Sequence, residues 1–167
     1  LLLGVLRERV HGGGRGPRAA HQLLDAELGL GQEALAAALE RDGALVRGDG
    51  LSTAARAEMV KPSLHIGTAH QFPNFAPYLP KAEQRPDLAA GLGVIVFDGP
   101  QGRGFYKGGH DGQTANSFVC LERGQRCVLL LANDVRAEAR FADLGRFVLG
   151  DTGVPYDWEY ADRAGKS

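Results

Sequence analysis

The segment Asn116-Ser117-Phe118-Val119-Cys120-Leu121-Glu122-Arg123-Gly124-Gln125-Arg126-Cys127-Val128-Leu129-Leu130-Leu131-Ala132 decides the fold. Residues 116–122 and 127–132 each have the length and β-branched, aromatic and aliphatic content of a strand. Arg123-Gly124 between them reads as a tight hairpin turn. Val128 to Leu131 is apolar at every position, which predicts a strand buried on both faces. Upstream, Gly104–His110 reads as a further strand and Leu92–Phe97 as another, with Gly99, Pro100 and Gly102 forming the turn between them. The connections are too short to hold crossover helices, so the about four strands are expected to form an antiparallel meander.

Helical patterns flank this meander. Leu1, Leu2, Val5, Leu6 and Arg9 fit a helix ending at the glycine run Gly12–Gly14. Ala19–Leu28 and the Ala- and Leu-rich Gln32–Glu40, stopped by Gly43, read as two more. Ser52 is a natural N-cap for a short helix over Ala54–Val60, which ends before Pro62. Prolines and aromatics from Pro62 to Pro86 read as a long extended loop, anchored by Phe72, Phe75 and Tyr78. Ala137–Leu149 reads as a helix with Phe141, Leu144 and Val148 on one stripe and Gly150 as its stop. Tyr156, Trp158 and Tyr160 read as a packing clamp in the tail. The expected class is α+β, an antiparallel sheet covered by helices: residues 1–60 mainly helical, 61–90 loop, 91–133 antiparallel strands, 137–149 a C-terminal helix.

The chain has 167 residues, a length suited to one domain. Its 19 basic and 20 acidic side chains give a net charge of −1, without the basic footprint of a nucleic-acid binder or a polybasic membrane patch. No apolar run is long enough to span a bilayer. The 24 glycines are not periodic, so they imply tight turns and close backbone approaches, not a collagen-like fibre. Gly99, Gly102 and Gly104 are not followed by a helix and make no dinucleotide fingerprint. His65 and His70 are five apart in a loop; with His110 they read as polar residues, not as metal ligands, and no metal or other cofactor is expected. Cys120 and Cys127 fall opposite each other across the hairpin. A cross-strand disulfide is conceivable there, and two buried free thiols are the preferred reading.

The chemically informative stretch is Phe105-Tyr106-Lys107-Gly108-Gly109-His110-Asp111-Gly112. Glycines on a strand mark a bulge or a close backbone approach to a ligand. Exposed main-chain N–H groups can polarise a carbonyl oxygen, and Lys107 can meet a substrate carboxylate. A plain glycine-rich bend beside a solvated lysine is the competing reading.

This stretch resembles the third motif of the serine β-lactamase and penicillin-binding protein family, Lys-Thr-Gly or His-[Ser/Thr/Gly]-Gly on a strand at the site edge. The resemblance is sharpest for the class C β-lactamase and esterase branch. With Lys107-Gly108-Gly109 in the motif's place, the match runs without a gap through Ser117–Leu121 and the hairpin to Leu131-Ala132-Asn133, similar to the family's strand ending in Leu-Ala-Asn. A terminal helix follows in both, and the tail Leu149-Gly150-Asp151 to Tyr160 is similar as well. Upstream, Leu2–Gly14 and Leu51-Ser52-Thr53 with Glu58-Met59 match more weakly.

The resemblance implies a serine hydrolase that transfers an acyl group from an amide or ester to water, acting on a small acyl compound or a peptide. Lys107 takes the role of the motif's cation, Gly108 and Gly109 keep the strand open, and the backbone N–H of His110 is one of two oxyanion-hole donors. A second register reads His110-Asp111-Gly112 as the motif and Gln113 as donor; the first is preferred because it needs no gap. Either way the middle residue, Gly108 or Asp111, lacks the motif's usual hydroxyl. None of Ser52, Ser63, Ser117 and Ser167 stands in Ser-x-x-Lys, and no Tyr or Ser has Asn two residues on. Without nucleophile and base no acyl-enzyme forms. The chain is therefore expected to be the C-terminal portion of one β-lactamase-like domain, inactive alone, with a periplasmic or secreted setting implied by the resemblance. The alternative is a non-catalytic, penicillin-binding-like ligand module.

Overall fold

A computed structural model describes residues 3–9, 50–71 and 76–159. The expected helices Ala19–Leu28 and Gln32–Glu40 lie outside the described residues, as do Phe72, Phe75 and Tyr160.

The sheet is antiparallel throughout and larger than the sequence predicts. Its strands are β1 (Leu3–Arg9), β2 (Leu64–His65), β3 (Leu88–Ala90), β4 (Ile95–Gly99), β5 (Gly102–His110), β6 (Ala115–Leu121) and β7 (Arg126–Ala132). Their spatial order is β1-β7-β6-β5-β4-β3-β2, so among the described residues six strands of three residues or more are joined by the two-residue edge β2. The expectation of about four strands is corrected on both sides: β2 and β3 come from the supposed loop 61–90, and β1 from the supposed first helix.

The segment of that supposed helix forms β1, which pairs residue for residue with β7, from Leu3 opposite Ala132 to Arg9 opposite Arg126. A short run of aliphatic residues does not distinguish helix from strand by periodicity. Here the outer edge of β7 supplies the hydrogen-bond partners that a strand needs. β7 thereby becomes an interior strand, and Val128, Leu129 and Leu130 are all buried, as an apolar run without alternation requires.

Other boundaries shift for local reasons. The fourth strand from the end starts at Ile95, not Leu92, because Leu92 and Gly93 are the turn of the β3–β4 hairpin, closed by the Gly91 N–H to Val94 C=O bond of 2.9 Å. The β6–β7 connection is a four-residue turn, Glu122–Gln125, with Gly124 at φ 78° and Gln125 at φ 46°, in place of a two-residue one. Residues 135–140 form a 3₁₀ segment ahead of the helix, where one continuous helix is expected.

Among the described residues three α-helices accompany the sheet. α1 (Thr53–Met59) is capped as expected by Ser52, whose hydroxyl accepts from the Ala55 N–H at 3.1 Å. α2 (Phe141–Leu149) buries Phe141, Gly145 and Leu149, while Leu144 and Val148 flank the core. α3 (Tyr156–Glu159) buries Tyr156 and Trp158. Trp158 donates its indole N–H to the Thr68 carbonyl at 3.2 Å, joining the tail to the 61–90 segment. Tyr78, expected to anchor that segment, is 72% exposed instead.

The sheet has two apolar faces. On one, Tyr106, Ala115, Val119, Leu121, Val128 and Leu130 pack with Ala137, Phe141, Leu149, Tyr156 and Trp158, so the 3₁₀ segment, α2 and α3 cover it. On the other, Val94, Val96, Phe105 and Cys120 pack with Val60, Phe118 and Cys127. Close approach explains two glycines. A Cβ on Gly99 would lie 1.9 Å from the Thr152 carbonyl oxygen, and one on Gly104 would lie 2.5 Å from Phe97 Cζ and 2.7 Å from the Cys120 carbonyl oxygen.

Cys120 and Cys127 are bonded as a disulfide across β6 and β7, which corrects the preference for free thiols. The pair is directly opposed with a Cα–Cα distance of 4.2 Å, the short spacing of a non-hydrogen-bonded antiparallel pair, and that closeness brings the sulfurs together.

Candidate functional site at the overhanging end of β5

β5 is the longest described strand, and its second half outruns its neighbour. β4 pairs with Gly102 to Tyr106 and ends there, Ile95 opposite Tyr106, because the chain turns back into β3. β6 continues alongside to His110, opposite Ala115. Among the described residues, Lys107, Gly108, Gly109 and His110 therefore extend past the end of β4.

The hydrogen-bond parity fixes which groups line that edge. Asp111 N–H bonds to Thr114 C=O at 3.1 Å, and Glu122 N–H bonds to Arg103 C=O at 3.1 Å. Odd-numbered residues of β5 thus exchange bonds with β6, and even-numbered ones point their N–H and C=O groups the other way. For Gly104 and Tyr106 that direction is β4. For Gly108 and His110 it is the space past the end of β4.

Side chains alternate across the same strand. Lys107 and Gly109 lie on the face of Phe105 and Phe118, and Gly108 and His110 on the helix-covered face. Lys107 is exposed and donates from Nζ to the Gly108 carbonyl at 2.7 Å, which curls its ammonium onto the overhanging edge. Across from it stands Phe118, in edge-to-face contact with Phe105 at 6.3 Å between ring centroids. Over Gly109, the Asn116 carboxamide fills the space a side chain would take, its Nδ2 3.3 Å from where a Cβ would sit.

The remaining candidates serve the turn. Asp111 Oδ1 accepts from the N–H groups of Gln113 and Thr114, both at 2.6 Å. Those two bonds, Thr114's first, hold the Asp111 carboxyl below its ordinary range. The Gln113 N–H, donor in the second register, is thus directed to Asp111, and Gly112 stands at the exposed tip. The structure brings Lys107, Gly108 and the His110 amide to one edge and leaves Asp111, Gly112 and Gln113 in the adjoining turn.

Two further residues complete the surroundings. Ser117 is fully buried opposite Gly108, under α3. Burial pushes the Tyr156 phenol well up, against a weaker hydrogen-bond pull from Ser117. Glu138, in the 3₁₀ segment, has a fully buried side chain whose Oε1 is 2.8 Å from His110 Nδ1. Sequence reasoning missed Glu138, although a signal was there. It sits three residues before Phe141, so an acidic side chain falls on the apolar stripe, where a charge needs a partner. His65, for its part, pairs with Gln84 at 3.1 Å. Among the described residues no cluster of three metal-ligating side chains occurs.

No family model, curated protein or solved structure matches this chain.

Proposed function

We propose that the overhanging end of β5 is the substrate-edge half of an acyl-transfer site in a β-lactamase-related serine hydrolase. The single observation that carries this reading is the parity of β5 beyond β4. It directs the His110 N–H to the side past the end of β4, and the Lys107 ammonium reaches the same edge through the Gly108 carbonyl.

In this reading an amide or ester substrate lies along the edge. The carbonyl oxygen accepts from the His110 N–H, and the developing negative charge is stabilised by that donor, a second donor and the nearby ammonium. A serine hydroxyl attacks the carbonyl carbon and gives its proton to a base. The bond to the leaving amine or alcohol breaks as that group takes a proton, and water then hydrolyses the acyl-serine. Ser117 is not that nucleophile, since it is fully buried. The reading therefore requires a Ser-x-x-Lys nucleophile from another segment of the polypeptide. Gly108 presents no hydroxyl where the resembling motif carries one, which favours simple esters and amides over β-lactams.

The test is hydrolysis of a p-nitrophenyl ester by the protein of the complete reading frame. Turnover faster than that of a chromogenic cephalosporin is expected. Absence of turnover of both overturns the reading in favour of a ligand-binding module.

A further inference from the structure

The disulfide between Cys120 and Cys127 has the placement of an exchange site as well as that of a crosslink. Its two sulfurs are unequally shielded. Cys120 is 1% exposed, whereas Cys127 is only half-buried. Cys127 is the second residue of β7, beside the turn Glu122–Gln125, and Glu122, Arg123 and Gly124 of that turn are exposed. The hairpin does not depend on the bond for its pairing. β6 and β7 pair residue for residue from Ala115 opposite Ala132 to Leu121 opposite Arg126, and β5 and β1 flank them. A crosslink with a sequence separation of 7 also removes less chain entropy than one that closes a long loop. The same pairing holds the two Cα atoms 4.2 Å apart, so the thiols of the reduced form stay neighbours and close again without a conformational search.

From this placement we infer that Cys120 and Cys127 form a reversible thiol–disulfide exchange site for a dithiol protein of the Cys-x-x-Cys kind, with Cys127 as the sulfur attacked. The partner's first thiolate bonds to Cys127 Sγ as the bond between the two cysteines breaks, and Cys120 leaves as a thiolate that takes a proton from water. The partner's second thiolate then attacks its own first sulfur and releases Cys127, which is protonated in turn. Two electrons pass from the partner, which becomes a disulfide, to the Cys120–Cys127 pair, which becomes two thiols. An oxidised partner runs the same steps in reverse. Attack at Cys120 is disfavoured because it is enclosed with Val94, Val96 and Phe105. The consequence falls on one face of the sheet. Phe105 is directly opposite Cys120, and Phe118, two residues before Cys120, stands opposite Lys107. Parting of the sulfurs on reduction therefore presses on the Phe105–Phe118 contact and is felt on the face that carries Lys107. The exchange is independent of the hydrolase reading.

The test uses the complete protein, purified without reductant, and a thioredoxin whose second active-site cysteine is replaced by Ser, so that the mixed disulfide is trapped. In native buffer a covalent adduct should form, and peptide mass mapping should place it on Cys127 over Cys120 by at least about tenfold. Thioredoxin with both cysteines should reduce the pair, and oxidised glutathione should restore the bond. In the reduced protein N-ethylmaleimide should label Cys127 at least about tenfold faster than Cys120. Amide spectra of the two forms should both be those of a folded protein, with shift changes concentrated at Phe105, Lys107 and Phe118 and small at Leu149 and Tyr156 on the other face. Absence of an adduct without denaturant overturns the exchange site. So does an adduct formed mainly on Cys120, or reduction that unfolds the protein, which is the behaviour of a purely structural crosslink. Free thiols at both positions in the protein as purified overturn it as well.

Discussion

Lys107 and His110 stand three residues apart on β5 with side chains on opposite faces of the sheet, yet both contribute to the same strand edge. Lys107 does so by folding Nζ back to the Gly108 carbonyl at 2.7 Å, and His110 by the direction of its backbone N–H past the end of β4. Between them Gly108 is buried and Gly109 lies beneath the Asn116 carboxamide.

Replacing Lys107 by Ala separates stability from function. Its side chain is exposed and its bond to Gly108 is local, so the change in stability should stay within about 0.5 kcal/mol, as for ordinary surface positions. Ester hydrolysis by the complete protein should fall by tenfold or more. Steady-state kinetics beside a denaturant titration check both halves, and unchanged kinetics remove Lys107 from the site.

Gly112→Ala and Gly104→Ala form a contrasting pair. A Cβ on Gly112 meets nothing within 4 Å, so stability and activity should both survive. Loss of activity there would instead favour His110-Asp111-Gly112 as the motif. A Cβ on Gly104 meets Phe97 and the Cys120 carbonyl at 2.5–2.7 Å, and overpacking of that kind costs about 1–3 kcal/mol. Thermal unfolding should show a drop of roughly 2–10 °C for Gly104→Ala only.

The Cys120–Cys127 disulfide closes a short loop, with a sequence separation of 7. In the chain-entropy account such a crosslink contributes about 2 kcal/mol, which corresponds to roughly 4–8 °C in melting temperature. Melts with and without a thiol reductant should differ by that amount, and thiol labelling of the unfolded, unreduced protein should find both cysteines blocked.

Acid should loosen the turn beside the site before the core. Asp111 is held below its ordinary range by the Thr114 and Gln113 N–H groups, and hydrogen bonding to Arg136 pushes Asp134 down to about 2. Folded-state values that are depressed mean that these groups contribute above their unfolded values, near 4, and that the contribution fades as pH falls toward 2. Amide exchange at Gln113, Thr114 and Arg136, corrected for intrinsic rates, should therefore rise between pH 4 and 2. Val119 in the sheet interior should lag behind them.

The strands around the motif were legible because their apolar runs and turn residues are local. β5, β6 and β7 lie within a residue or two of their expected limits, and Ser52 caps α1 as read. β1 was not legible, because its strand character comes from β7, more than a hundred residues away, and a short Leu- and Val-containing segment is equally compatible with either period. The disulfide also needed geometry: the spacing placed the cysteines opposite, but only the pairing class, non-hydrogen-bonded, brought them close enough. In the site, Lys107, Gly108 and His110 could be named from the motif, whereas the overhang depends on where β4 stops. Glu138 was hidden in a segment read as ordinary helix, although its place on the apolar stripe marked it.

The most direct test of the central claim is covalent labelling of the complete protein with a fluorophosphonate probe, followed by peptide mass mapping. The account predicts stoichiometric labelling of a single serine in a Ser-x-x-Lys sequence, slowed at least tenfold by Lys107→Ala. Absence of labelling, or labelling that Lys107→Ala leaves unchanged, would contradict it.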